Sequence, residues 1–415
     1  MPSFLLDKRA SRALLCAALA FVLSGCKEPP ASTSDSNASP TGTESGTQTD
    51  ASTVGKAKPY DRKDVILIGE YGDLTGDTAA FGTSTRDGIA LAVDEANKAG
   101  GLLGKKIQIQ LEDNNGKPDE TTSRVKKLIN QDNVLAVLGE VASSRSKMGA
   151  QVCQAAGVPM ITPTSTNPNV TQVGDYIFRT CFIDPFQGTI CARFAAQNLK
   201  AKRVAILTDT ANAYSVGLTD FFKKEFVKNG GQIVAEENYK AKDQQFGSQL
   251  NNIKTANPEA IFLPGYYQDV ATIAKQARDA GLDQPMFGGD GWDDPDLVAL
   301  GGDAVQNCYF TTHASEDSGD PRMKQFSAKF RAFHKGKSPG ALAAVAYDAA
   351  NILFAAIKKA GGTDRAKIRD AIAATTKFPG VTGDITINKD RNVVKQLVIL
   401  QVKDDKFKYV ATIKP

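Results

Sequence analysis

The chain has 415 residues, 41% hydrophobic and 23% charged, which excludes a wholly disordered or collagen-like polymer and leaves room for two or three domains. Lys plus Arg total 50 against 46 Asp plus Glu, a formal charge of +4 without a dense basic block, so nothing marks a nucleic-acid footprint. Two His and six Cys leave little for a histidine-based metal site or catalytic triad and too few bridges for a disulfide scaffold.

Lys8, Arg9 and Arg12 precede an apolar run from Ala13 to Leu23. That run suits a signal-peptide core and is too short to span a bilayer. It ends in Leu23-Ser24-Gly25-Cys26, which resembles the lipobox of bacterial lipoproteins. By that resemblance residues 1–25 are removed and Cys26 becomes a lipidated first residue. The alternative is an ordinary secretory signal with an incidental Cys. No later run of about 18 apolar residues follows, so no other membrane span is expected. Segment 26–63 is expected to be a flexible tether. Between Glu28 and Lys58 it is dominated by Ser, Thr, Pro, Gly, Ala and Asp, and such a stretch buries too little apolar area to offset its ordering entropy.

Strand and helix signals then alternate. Val65–Gly69 reads as a strand, and Thr85–Lys98 as a helix stopped by Gly100-Gly101. Ile107–Leu111 is a strand, Thr121–Asn130 a helix, Val134–Leu138 a strand, Ser144–Ala156 a helix and Val158–Ile161 a strand. The plan repeats with strands at Val204–Leu207, Gln232–Ala235, Ala260–Leu263 and Pro285–Gly288, separated by helices at Ser215–Asn229, Phe246–Ala256 and Gln268–Ala280. A further apolar-striped helix is expected at Tyr347–Ala360, and final strands at Gly383–Ile387, Gln396–Val402 and Phe407–Ile413. The pattern predicts an α/β protein with two doubly wound parallel-sheet lobes and a cleft between them, where strand ends receive ligands.

An enzyme reading finds little support. Gly69-Glu70-Tyr71-Gly72-Asp73-Leu74-Thr75-Gly76 does not have the G-x-G-x-x-G spacing of a dinucleotide fold. There is no P-loop and no G-x-S-x-G, and His313 and His334 are isolated. Asp293, Asp294 and Asp296 cluster without EF-hand spacing, so no metal and no cofactor is expected. Cys153, Cys181, Cys191 and Cys308 match no metal motif; a bridged pair and buried free thiols both remain open.

Several stretches together resemble a known family. They include Leu74-Thr75-Gly76, Leu91-Ala92-Val93-Asp94-Glu95-Ala96-Asn97, Val137-Leu138-Gly139, Ile161-Thr162-Pro163-Thr164-Ser165-Thr166-Asn167-Pro168 and Phe178-Arg179-Thr180. Asp184-Pro185-Phe186-Gln187-Gly188, Pro264-Gly265-Tyr266-Tyr267, Gly288-Gly289-Asp290-Gly291-Trp292 and Gly380-Val381-Thr382-Gly383 follow in order. In this set the chain is similar to the branched-chain amino-acid ABC transporter substrate-binding lipoproteins, of the type I periplasmic binding fold. The resemblance implies a three-crossover hinge. One lobe would hold 64–183 and 314–392, the other 184–313 and 393–415. It implies a monomeric, membrane-anchored extracytoplasmic protein that delivers an amino acid, by default a branched-chain one, to permease subunits without catalysis. A tethered sensor of an amide or other small polar solute, without transport, is the rival within binding.

A zwitterion needs donors for its carboxylate and an anion for its ammonium. Ser143 and Ser144 stand where a helix begins, where hydroxyls and free N–H groups suit a carboxylate. The family places its carboxylate contact at the position matching Ser143. Thr164, Ser165 and Thr166 follow the next strand, and the matching turn in the family offers a hydroxyl and N–H to the carboxylate and a carbonyl to the ammonium. Asp290 lies between Gly289 and Gly291, which allow close approach, and would neutralise the ammonium. Phe81, Tyr214, Tyr266 and Trp292 are expected to wall the side-chain pocket. Tyr214 and Tyr266 match aromatic cleft positions of the family, and Phe81 replaces a common Tyr. Asp184 and Gln187 are assigned to the hinge or rim.

Overall fold

The computed structural model describes residues 55–415. The expected signal segment, Cys26 and the first part of the tether lie outside the described residues. The last part of the expected tether differs from the sequence expectation. Ala57 N–H donates to Ala156 O (3.0 Å), Tyr60 Oη donates to Val65 O (2.8 Å) and accepts from Leu67 N (2.8 Å), and Arg365 donates to Lys58 O (2.6 Å). Ala57 and Tyr60 also pack on the apolar cluster beneath the first sheet, and that burial supplies what the composition upstream lacks.

Strands β1 (Val65–Gly72), β2 (Lys106–Asp113), β3 (Val137–Leu138), β4 (Met160–Thr162) and β5 (Ile177–Arg179) form one sheet in the order β2-β1-β3-β4-β5. Every pairing in it is parallel. Alternate residues of β1 serve opposite faces: Ile66 and Ile68 enter one apolar cluster, Leu67 and Tyr71 the other, as a period of two requires. Helices α1 (Ala79–Lys98), α2 (Pro118–Asn130) and α3 (Ser143–Ala156) belong to this lobe. They are joined there by α9 (Pro321–Phe333), α10 (Ala341–Ala360) and α11 (Arg365–Ala373) from later in the chain.

The second sheet contains β6 (Arg203–Asp209), β7 (Gln232–Tyr239), β8 (Ala260–Phe262), β9 (Met286–Gly288) and β10 (Tyr309–Thr312). After the small hairpin of β11 (Phe378–Gly380) and β12 (Gly383–Ile385) the chain returns to it as β13 (Leu397–Lys403) and β14 (Lys406–Ile413). The order is β14-β13-β10-β9-β8-β6-β7. Pairing is parallel from β7 to β10, and β13 runs antiparallel to both neighbours. Helices α4 (Asp184–Gln197), α5 (Ala213–Lys228), α6 (Gly247–Ala256), α7 (Tyr267–Asp279) and α8 (Asp296–Gly301) accompany this sheet.

The chain passes between the sheets three times, after β5, after β10 and before β13. The passages touch one another. The Phe182 ring packs 4.3 Å from the His313 imidazole, centroid to centroid, and Lys395 Nζ donates to Thr180 O (3.4 Å).

Two helices start a turn and a half or more before their periodicity predicts. α10 begins at Ala341, and its first turn lies so close to α1 that a Cβ on Gly88 would meet Ala343 O at 2.1 Å; α10 is apolar on nearly all sides because it is the core helix of this lobe. α1 begins at Ala79 so that Phe81 faces Tyr266 and Tyr267 of the other lobe. The sequence expectation does not include β5, α4, β10, α9, α11 and β11; the strands are only three or four residues long, whereas α9 carries Met323, Phe326 and Phe330 at helical spacing.

Candidate functional site

The first sheet reverses its order between β1 and β3, and open α/β sheets bind at such a switch point, beyond the carboxyl ends of their strands. The segments following β1, β3 and β4 converge there with those leading into α5 and α7 and following β9. Together they surround a narrow pocket, lined by Phe81, Val141, Ser143, Thr164 and Thr166 from one lobe and Tyr214, Tyr266, Asp290 and Gly291 from the other. The lobes are in contact around it. Ala213 N donates to Ser144 Oγ (2.9 Å), Asn167 Nδ2 to Ala213 O (2.7 Å) and Tyr267 Oη to Asp77 O (3.2 Å), and Lys242 Nζ pairs with Asp77 at 2.6 Å.

The first wall is a set of unspent donors. Ala142 occupies the cap position of α3, without a side chain able to cap the helix. Its first N–H groups are therefore open to an outside acceptor, on the positive end of the helix dipole. Ser143 Oγ accepts from Asn167 N (3.3 Å), which leaves its own proton to donate. Thr164 Oγ1 is buried without a hydrogen-bond partner, and an orphaned buried hydroxyl on a cavity wall calls for a ligand atom. The turn carrying Thr164 and Thr166 is held from behind by the buried Arg179. Its guanidinium donates to Ser165 O and to Asn167 O (2.7 Å).

The opposite wall carries the anion. Asp290 opens a single 3-10 turn, Asp290–Trp292. One carboxylate oxygen accepts from Gln187 Nε2 (2.8 Å), and the other lies 3.0 Å from His313 Nε2. Gln187 Nε2 also donates to Thr311 Oγ1 (2.9 Å). Tyr214 Oη accepts from Gly291 N (3.1 Å) and steadies the turn. Asp184 is wholly buried behind it. Burial pushes its carboxyl up to about 8, the Thr166 hydroxyl opposes this, and the Asp290 charge adds to it.

Tyr214 and Tyr266 stack in parallel, with centroids 5.4 Å apart, and Phe81 meets Tyr266 edge-on at 5.7 Å. With Val141 they give the cavity an apolar side. Tyr266 also faces an outer chamber of about 280 Å³ between the lobes, which Ala142, Ser144, Arg145, Asn212 and Lys242 help to line.

Three expected site residues sit elsewhere. Trp292 is wholly buried in the core of the second lobe, its indole N–H donating to Leu263 O (2.9 Å). On a turn of three residues per repeat the residue two after Asp290 points away from it. Ser165 lies behind the turn, its hydroxyl bonded to Glu140 O, Val141 O and Ser146 Oγ. Ser144 faces the outer chamber and spans the lobes rather than lining the inner cavity. His313 and Arg179 are buried groups that sequence reasoning did not place at the site, and Gln187, assigned to the hinge or rim, meets Asp290 itself. An isolated His or Gln carries no local signal, and only the passages after β5 and β10 bring them to Asp290.

The acidic run is committed to local structure. Asp293 accepts from Thr312 Oγ1 and Asp294 from Asp296 N (2.9 Å). Among the described residues no group of three or more His, Cys, Asp or Glu is placed to hold a metal ion. Cys153, Cys181, Cys191 and Cys308 are buried free thiols. Burial pushes Cys181 and Cys191 up to about 12, so they are inert.

Residues 65–406 match the periplasmic binding protein family. The Leu/Ile/Val-binding protein BraC3 of Rhizobium johnstonii is 32% identical over 333 residues, which is 80% of this chain and 89% of that protein. Among solved structures, the leucine-binding protein LivK of Thermotoga maritima is 39% identical with a TM-score of 0.81, covering 85% of this chain and 99% of that one. LivJ of Streptococcus pneumoniae, solved in complex with isoleucine, is 34% identical with a TM-score of 0.80, covering 85% and 100%. The match takes in both sheets and both walls of the cavity, and the chain belongs to the periplasmic binding protein family.

Proposed function

We propose that this protein captures one aliphatic amino acid between its lobes, outside the cytoplasm, and hands it unaltered to the permease of an ABC importer. The observation that carries this reading is the opposition across one narrow cavity. Asp290 stands on one wall, and the uncapped start of α3 with Ser143, Thr164 and Thr166 stands on the other. A carboxylate gains the helix N–H groups and the hydroxyls, an ammonium gains Asp290, and the two must be a few ångströms apart, as in an α-amino acid. Phe81, Val141, Tyr214 and Tyr266 suit a branched aliphatic side chain. Relatives named for leucine, isoleucine and valine and a neighbour holding isoleucine support the same class.

Lobes 64–183 with 314–392 and 184–313 with 393–415 would open and close on the three passages. Ligand contacts made only when the lobes meet drive closure. Cys26 would carry the lipid that keeps the monomeric protein at its membrane.

A thermal-shift panel of amino acids, followed by calorimetry, tests the reading. Leucine, isoleucine or valine should raise the melting temperature, since binding the native state alone stabilises it. Asp290→Ala should weaken binding of the best ligand about a hundredfold or more, because a buried ammonium loses its partner. A panel without a stabilising amino acid, or an unchanged affinity in Asp290→Ala, refutes it.

A further inference from the structure

The ammonium receptor is held by groups from the hinge. Asp290 sits on a short turn, and its two oxygens meet two buried donors. Gln187 lies in the first turn of α4, just after the first passage between the lobes. His313 directly follows β10, where the second passage begins. His313 is wholly buried, its Nδ1 has no hydrogen-bond partner, and the Phe182 ring of the first passage packs 4.3 Å from it, centroid to centroid. A neutral imidazole with its proton on Nε2 satisfies this geometry. A second proton on Nδ1 would be a buried donor without an acceptor.

We infer that His313 is a positioning residue for ligand capture: through Nε2 it fixes the Asp290 carboxylate, with Gln187 on the other oxygen, in the orientation that receives the ligand ammonium, and so ties that receptor to the hinge. This deepens the proposed binding function and rests on it. Without the two donors, a carboxylate on a three-residue turn is free to rotate about its side-chain torsions. With them it is preorganised, and the ligand need not spend binding energy ordering it. Because both donors sit beside passages between the lobes, a change in hinge geometry reaches Asp290 directly. Asp184 does not compete for the ammonium at neutral pH, its carboxyl being pushed up to about 8, chiefly by burial.

A double-mutant cycle in the full chain, with leucine as the probe and calorimetry as the readout, tests this. Asp290→Asn should lower leucine affinity roughly a hundredfold and His313→Leu roughly tenfold or more. The double variant should bind no more weakly than Asp290→Asn alone, because the imidazole acts only through that carboxylate. His313→Gln, which keeps a donor near the Nε2 position, should stay within about threefold of the unchanged chain. If His313→Leu does not fold, Gln187→Leu replaces it in the same cycle. Losses that multiply in the double variant, or a His313→Gln as weak as His313→Leu, overturn the inference. An unchanged affinity in Asp290→Asn overturns the binding reading itself.

Discussion

Replacing Arg179 by Met tests how the carboxylate side of the cavity is built. The guanidinium is wholly buried and, in place of a carboxylate, its hydrogen bonds go to Ser165 O and to Asn167 O at 2.7 Å, with longer contacts to Thr171 Oγ1 (3.4 Å) and Pro168 O (3.5 Å). Met keeps the apolar stem and removes the donors. Ser165 O and Asn167 O then each lose their strongest donor and keep only a longer one, from Cys181 Sγ (3.3 Å) and Val170 N (3.2 Å) respectively, so the cost lies toward the low end of about 1–3 kcal/mol each. Part of this is offset, because a cation no longer has to be buried; burial already holds the Arg179 pKa below its usual value. A net loss of about 1–3 kcal/mol is expected, from a total stability of about 5–15 kcal/mol.

The binding consequence is separate from the stability one. Thr164 and Thr166 lie on the loop that those carbonyls anchor, so the ligand must order the loop itself. Loss of about 1.4 kcal/mol in this way is tenfold in affinity. Urea unfolding should show a lower midpoint with an unchanged slope, and calorimetry with leucine should show affinity falling about tenfold or more. Arg179→Lys should rescue only partly, since one ammonium cannot reproduce the planar fork that spans two carbonyls. A lower midpoint with leucine affinity unchanged would refute the reasoning, because Arg179 would then support the fold and not the loop.

Three further outcomes follow from the same structure. Burial holds the Glu70 carboxyl up at about 8 against 4.5, so the folded chain keeps a proton that the unfolded chain loses. Stability should fall as pH rises from about 4.5 to about 8, and Glu70→Gln should raise the melting temperature at pH 8.5 but not at pH 4.5; equal effects at both values would sink this. Ser144→Ala removes the hydroxyl that accepts from Ala213 N across the lobes, so stopped-flow measurements should show ligand leaving about three to ten times faster, whereas an unchanged release rate would place closure elsewhere. Cys153, Cys181, Cys191 and Cys308 should resist alkylation in the native state and all react once unfolded; mass spectrometry showing rapid native labelling at any of the four would contradict their burial.

Much of this molecule is local in origin and legible without coordinates. Apolar runs such as Val65–Gly69, and glycine stops such as Gly100-Gly101, encode strand and helix through contacts a few residues long, so their order alone predicts alternating lobes. The same logic reaches Ser143, Thr164, Thr166 and Asp290, because each lies just after a strand of a doubly wound sheet, and such positions face the cleft.

The contacts across the cleft depend on residues distant in the chain. Trp292 stands two residues from Asp290 yet belongs to the core, because a three-residue turn separates their directions and Leu263 O accepts from the indole. Ser165 turns inward to Glu140 and Val141 while Thr164 beside it faces the cavity. His313 looks isolated in the sequence, and only the passage after β10 brings it to Asp290. Short strands such as β5 and β10 exist because neighbours pair with them, and no period can be read from three or four residues. Local pattern specifies which segments form; the choice of which side chain meets which across the cleft belongs to packing over the whole chain.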